Sequence, residues 1–281
     1  MTGTEAREAL VVDAFTTTPL DGVPVGVVPD ASGLDGGQRR AVAGELAPSA
    51  TAFHDGAGTL RVLDGDGERA ERGDAAVAAV ASGALDPGAV EGLDVDLDDG
   101  VAWVDAGVPT VDEADVDAAR TAGALGVDPA AVVGELPLGV ADAGVSLLVV
   151  PLDFLSVLAD ADPDPATLSV LCDAADADGV YALTFDTLAA GPNAHGRVFA
   201  PSRSVETVPA TAAAAGYLRW ADAYDDPPTD LAVEFGHVDD RPGLARARVD
   251  GGTWVGGNAV TSLTGEIRVP PATDDDDIVE A

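Results

Sequence analysis

Apolar positions along the chain fall into short runs with two different periods. Leu10-Val11-Val12-Asp13-Ala14-Phe15 and Leu147-Leu148-Val149-Val150-Pro151-Leu152 are nearly continuous apolar runs closed by turn residues, the pattern of buried strands. Further strands are read at 51–54, 60–63, 101–104, 180–185, 231–234, 245–249, 253–255 and 266–269. Gly and Asp turns divide them, as in Asp64-Gly65-Asp66-Gly67 and Asp250-Gly251-Gly252. Helical stretches are read near 37–46 and 165–175. Two Ala-rich segments, 75–85 and 210–220, are apolar almost all round, and a helix apolar on every face is a buried one.

These pieces recur in order. Arg61-Val62-Leu63 lies 12 residues ahead of the segment opening at Gly73, and Arg197-Val198-Phe199 lies 12 ahead of the one opening at Pro209; the two copies are 136 apart. The run at Leu10 and the run at Leu147 stand at nearly the same offset. The pattern implies two similar halves, each a curled sheet around a central helix, in an α+β arrangement. The N-termini of two such helices, with free N–H groups and partial positive charge, suit a carboxylate ligand. The alternative is that both are core helices and nothing more.

Charge changes the picture at the surface. The 281-residue chain has a net charge of −36, with 38 Asp, 12 Glu, 14 Arg and no Lys. Asp is spread through every segment, which reads as adaptation to a saline cytoplasm, where molar salt cuts the Debye length to about 3 Å. The competing reading is a basic partner. With no basic patch, nucleic acid is excluded as a partner. No run spans a bilayer and no signal sequence is visible, so neither membrane attachment nor secretion is expected and the cytoplasm is the expected location. Cys172, the one cysteine, rules out an internal disulfide and reads as a small buried hydrophobe on a helix. His54, His195 and His237 lack metal-binding spacing, and Asp64 to Glu68 reads as a hairpin turn rather than a calcium loop. Trp103, Trp220 and Trp254 read as core anchors.

Several motifs now gain a common meaning. Val12-Asp13-Ala14-Phe15-Thr16 with Pro19, Gly22 and Pro24; Ser49-Ala50-Thr51-Ala52-Phe53; Arg72-Gly73-Asp74; Arg197-Val198-Phe199-Ala200-Pro201; and the stretch from Glu206 to Ala214 resemble, in order and spacing, the motifs of the PhzF (phenazine-biosynthesis-like) isomerase family. The resemblance runs from about residue 10 to 269 and includes Gly256-Gly257. It implies a diaminopimelate-epimerase-like fold, with one half formed by residues 1–112 and 262–281 and the other by 113–261. It further implies an isomerase or epimerase acting on small carboxylate metabolites without metal or organic cofactor, and often a homodimer. The substrate-binding positions it designates are Ser49, Ala50, Thr51, Gly73, Asp74, Val208, Ala212 and Ala213.

The departures bear on function. In the family's S-E-T-x-F the Glu is the proton-transferring group, and here that position is Ala50. The His of C-G-H is Asp74, the Asp of E-D-P is Val208, and the following Gly-Ser is Ala212-Ala213. Asp74 reads either as a helix N-cap or, with Glu206, as a relocated acid–base pair. Thr51 and Arg72 are further candidates for rebuilt chemistry. The expectation is a family member with a degenerate site and a binding or structural role; the alternative is an active isomerase with rebuilt acid–base groups.

Overall fold

The computed structural model describes residues 5–46, 50–65, 67–202, 204–224 and 228–272. The chain forms two compact units, Met1–Val104 with Gly257–Ala281, and Asp105–Gly256. The candidate Ser49 lies outside the described residues.

The first unit carries a six-stranded sheet. Its strands are β1 (Glu5–Ala14), β2 (Val23–Val28), β3 (Ala50–His54), β4 (Leu60–Asp64) and β5 (Gly67–Arg69), with β16 (Ala259–Val269), the last element among the described residues, at the edge beside β1. β1 and β2 are antiparallel, β2 and β3 parallel, β3 and β4 antiparallel. Helix α1 (Gly36–Leu46) covers one face: Val42 and Ala43 pack with Val28, Phe53 and Leu63. Helix α2 (Gly73–Ala81) packs against β1, β2, β3 and β16, with every residue from Gly73 to Val80 buried. It stops earlier than the apolar pattern alone implies, because Gly83 takes a left-handed φ of +75° and Leu85 N–H donates back to Ala79 O. The hairpin of β6 (Val95–Asp98) and β7 (Val101–Asp105) follows.

In the second unit come β8 (Thr110–Glu113), helix α3 (Ala118–Leu125), β9 (Gly139–Asp142), β10 (Ser146–Pro151), helices α4 (Leu155–Asp160) and α5 (Pro165–Ala175), β11 (Gly179–Thr184) and β12 (Ala194–Phe199). They are followed by helix α6 (Thr207–Trp220), β13 (Asp230–Phe235), β14 (Gly243–Val249) and β15 (Thr253–Gly257). The strand order is β15-β14-β13-β12-β11-β10-β9-β8. Leu125, Leu158, Leu168, Leu171 and Cys172 from α3, α4 and α5 pack on Leu148, Val150 and Val180. Cys172 is buried on α5, as its apolar run implies. Helix α6 packs against β8, β9, β10 and β14.

The repeat is present as topology, shifted by one strand from the sequence match. β9 and β10 are antiparallel, β10 and β11 parallel, β11 and β12 antiparallel. That repeats the β1, β2, β3, β4 series, so β10 is the counterpart of β2, and β1 answers to β9. Leu10–Phe15 and Leu147–Leu152 look alike because both strands are buried. Apolar content does not record which neighbour runs parallel. Of the three tryptophans only Trp103 is fully inside, at 3% exposure; Trp220 is 37% exposed at the end of α6. Among the described residues no helix is long and apolar enough to cross a membrane.

Candidate functional site

In the first unit the designated positions gather around β3 and the start of α2. Arg72 takes the N-cap place with φ −136° and ψ 8°, and its side chain makes no capping bond. Its guanidinium instead donates to Leu60 O, Glu91 O and Gly92 O, each at 3.3 Å. Gly73 and Asp74 are the first two helical residues. Asp74 is therefore not the cap; it stands inside the first turn, 6% exposed, where a carboxylate meets the positive end of the helix dipole.

Ala50 and Thr51 are consecutive in a strand, so their side chains leave opposite faces. Thr51 is fully buried against Gly26, its partner on β2, where a methyl group would stand 2.7 Å from the Thr51 hydroxyl and 3.1 Å from Leu46 Cβ. Thr51 thus shares the α1 side with Phe53, which packs on Val42 and Ala43. Ala50, 8% exposed, faces the other way, toward the side that α2 covers. Glu45, the carboxylate just upstream, is exposed on α1.

The second unit repeats the arrangement with different side chains. Glu206 is the N-cap of α6, with extended backbone (φ −70°, ψ 155°), no capping bond from its side chain, and 6% exposure. Val208 occupies the second helical place, as Asp74 does in α2. Val208, Ala212 and Ala213 are all buried. The Arg of the Arg197-Val198-Phe199 motif points elsewhere: one guanidinium nitrogen donates to Leu158 O, Ala159 O and Ala161 O at 3.3, 3.3 and 2.9 Å, and its carbon lies 4.7 Å over the Phe199 ring. It ties down the end of α4.

The two helix starts therefore offer one buried carboxylate each, Asp74 and Glu206. Among the described residues no group of three His, Cys, Asp or Glu side chains has metal-binding geometry. The structure also assembles a polar cluster that the sequence hides. The His195 and His237 rings lie with centroids 4.9 Å apart and planes tilted by 51°, and His195 Nδ1 lies 3.4 Å from Glu234 Oε2. His195 stands 39 residues ahead of Glu234 and on a different element from both Glu234 and His237, so the three do not read as a unit in sequence. His54, at the end of β3, is buried, with Nε2 3.0 Å from Ala89 O and Nδ1 3.2 Å from Pro29 O. The Asp64 turn closes as a hairpin, with Gly67 N–H donating to Asp64 Oδ1 at 3.1 Å.

The chain is similar to several solved structures. A PhzF-family phenazine biosynthesis protein of Bacillus anthracis superposes with a TM-score of 0.78 at 19% identity, over 94% of this chain and 99% of that one. A predicted epimerase from Pseudomonas aeruginosa gives 0.72 at 22% identity, over 93% and 99%. A hydroxyproline epimerase from Agrobacterium vitis, with trans-4-hydroxy-L-proline bound, gives 0.52 at 12% identity, over 95% and 94%. No curated protein matches. The fold is thus the diaminopimelate-epimerase-like one, as the strand order repeated in both units leads one to expect. The sequence model of the phenazine biosynthesis-like proteins matches residues 72–265, more than half of the chain and including the starts of both α2 and α6, and the protein belongs to this PhzC-PhzF family.

Proposed function

We propose that this family member has lost the proton-transfer chemistry of isomerisation and serves as a binding or structural protein. The observation that carries the reading is Ala50: at the position where the resemblance calls for a proton-carrying Glu, a buried methyl group faces the α2 side of β3. The apolar Val208, Ala212 and Ala213 at the start of α6 support it, since they neither polarise a substrate nor bond to one. Asp74 also places a negative charge at the helix start that would otherwise attract a ligand's carboxylate. A small carboxylate would have to bind elsewhere, and assembly as a homodimer would not by itself restore the acid–base group.

A second reading has its own support, because buried carboxylates at helix starts are candidates for catalysis. In it Asp74 and Glu206 act as the acid–base pair of an isomerase or epimerase. Solvent exchange separates the two. The protein is incubated in D2O and molar KCl with small carboxylates, including trans-4-hydroxy-L-proline, and carbon-bound deuterium is followed by NMR. No incorporation above the protein-free rate is the expected result. Incorporation that disappears in Asp74→Asn or Glu206→Gln establishes the second reading, and incorporation that survives both sinks the first while pointing to another base.

A further inference from the structure

The connection between β11 and β12, residues 185–193, hangs on one buried carboxylate. Glu234 on β13 is 4% exposed. Its Oε2 accepts from Leu188 N–H at 2.8 Å and its Oε1 from Ala189 N–H at 2.9 Å. The far end of the connection is fastened by Asn193, whose Oδ1 accepts from Ala232 N–H at 2.8 Å and whose carbonyl accepts from the Tyr224 hydroxyl at 3.2 Å.

His195 sits beside that carboxylate because the parallel β12–β13 ladder is short, pairing only Ala194 with Val233 and His195 with Glu234. His195 is 2% exposed. His237 reaches it through a tight turn at Gly236, whose φ is +74° and where any Cβ would meet Arg241 O at 2.2 Å. Among the described residues, Nδ1 of His237 is buried without a hydrogen-bond partner, and Nδ1 of His195 has only the long 3.4 Å approach to Glu234 Oε2. Two imidazoles at 4.9 Å cannot both become charged there without strong mutual repulsion.

We propose that His195, His237 and Glu234 form a proton-sensitive clasp that holds residues 185–193 closed at neutral pH and releases them as His195 is protonated. A charged His195 competes with Leu188 N–H for Oε2 of Glu234. The other charged and titratable groups on these elements are Asp186 on the connection, Tyr181 on β11, Arg197 on β12, Asp230 on β13, Asp239, Asp240 and Arg241 after His237, and Arg246 and Arg248 on β14, with Tyr224 bonded to Asn193; Leu244, the β14 partner of Glu234, is uncharged. Burial, and next the neighbouring His237, hold His195 below the ordinary histidine range, while Glu234 pulls the other way. A histidine lowered in the folded state stabilises the clasp above its unfolded pKa of about 6.5, and that stability is lost as pH falls through the lower folded value.

The test is amide exchange on the full chain in molar KCl between pH 7.5 and 5, corrected for intrinsic rates. Protection at Leu188 and Ala189 should fall by up to about tenfold per pH unit for one linked proton. Protection at Leu148 and Val180, in the core of the same sheet, should hold. In His195→Asn the pH dependence at Leu188 and Ala189 should vanish. Should that variant fail to fold, His237→Asn, on the half-buried turn, removes a neighbour that lowers the folded value of His195, so the loss of protection between pH 7.5 and 5 should shrink. Protection that is flat with pH, that falls in step with the core, or that keeps its wild-type pH dependence in the variants would overturn the proposal.

Discussion

Arg197 shows how a motif residue acquires its role from geometry. In sequence it belongs to a run that marks the family resemblance, which suggests a part in the site. In the fold it holds three carbonyls at the end of α4 and stacks on Phe199. Carbonyls of a last helical turn have no partner within the helix, so a cation there supplies both bonds and charge. Hydrogen bonds to charged groups are worth about 1.5–3 kcal/mol. Arg197→Met should lower unfolding stability by roughly that amount, read as a shifted urea midpoint at unchanged slope. Arg197→Lys should recover only part of the loss, since a point charge keeps the dipole interaction but not the planar fork. Ala50 and Thr51 teach the converse: neighbours in one motif, they leave opposite faces of β3, and strand alternation alone predicts this once the strand is placed.

At the scale of elements, much of the acidic excess has local work. Asp117 caps α3 by accepting from Arg120 N–H at 3.0 Å, and Asp164 caps α5 by accepting from Thr167 N–H at 2.9 Å. Asp55, Asp105, Asp128 and Asp142 each accept from the amide two residues on. The short Asp side chain reaches these amides and Glu does not reach them as well, which accounts for part of the surplus of Asp over Glu. A capping role and a surface-charge role are separable. Asp117→Ala should cost about 1 kcal/mol and Asp117→Asn much less, because Asn caps as well without the charge. Equal losses in the two variants would mean that the charge, not the cap, matters at this helix start.

For the whole molecule, charge is the dominant quantity. A net charge of −36 on 281 residues, with Arg as the only strong base, opposes compaction at low ionic strength. We therefore expect the melting temperature to rise as KCl goes from about 0.1 to 1 M, the range in which the Debye length falls from about 10 to 3 Å. A melting temperature that is flat or falls with salt would remove the case for salt adaptation and leave a basic partner as the better reading of the acidic surface.

What the sequence determined is what short-range physics encodes. The two buried Ala-rich helices, the burial of Cys172, most strands, the doubled order of elements and the family motifs all depend on local periodicity, turn chemistry and spacing. The alanine at position 50, where the resemblance calls for Glu, likewise needs only the residue's identity. What only the tertiary structure decided depends on neighbours distant in the chain. Apolar content could not show that β10 matches β2 rather than β1, because strand burial is the same for either pairing. Asp74 moved from cap to first turn because Arg72 takes the cap position while its side chain serves three carbonyls. The His195, His237 and Glu234 cluster exists only because a two-residue parallel ladder and the Gly236 turn bring two distant stretches of chain together, and no local pattern records such a meeting.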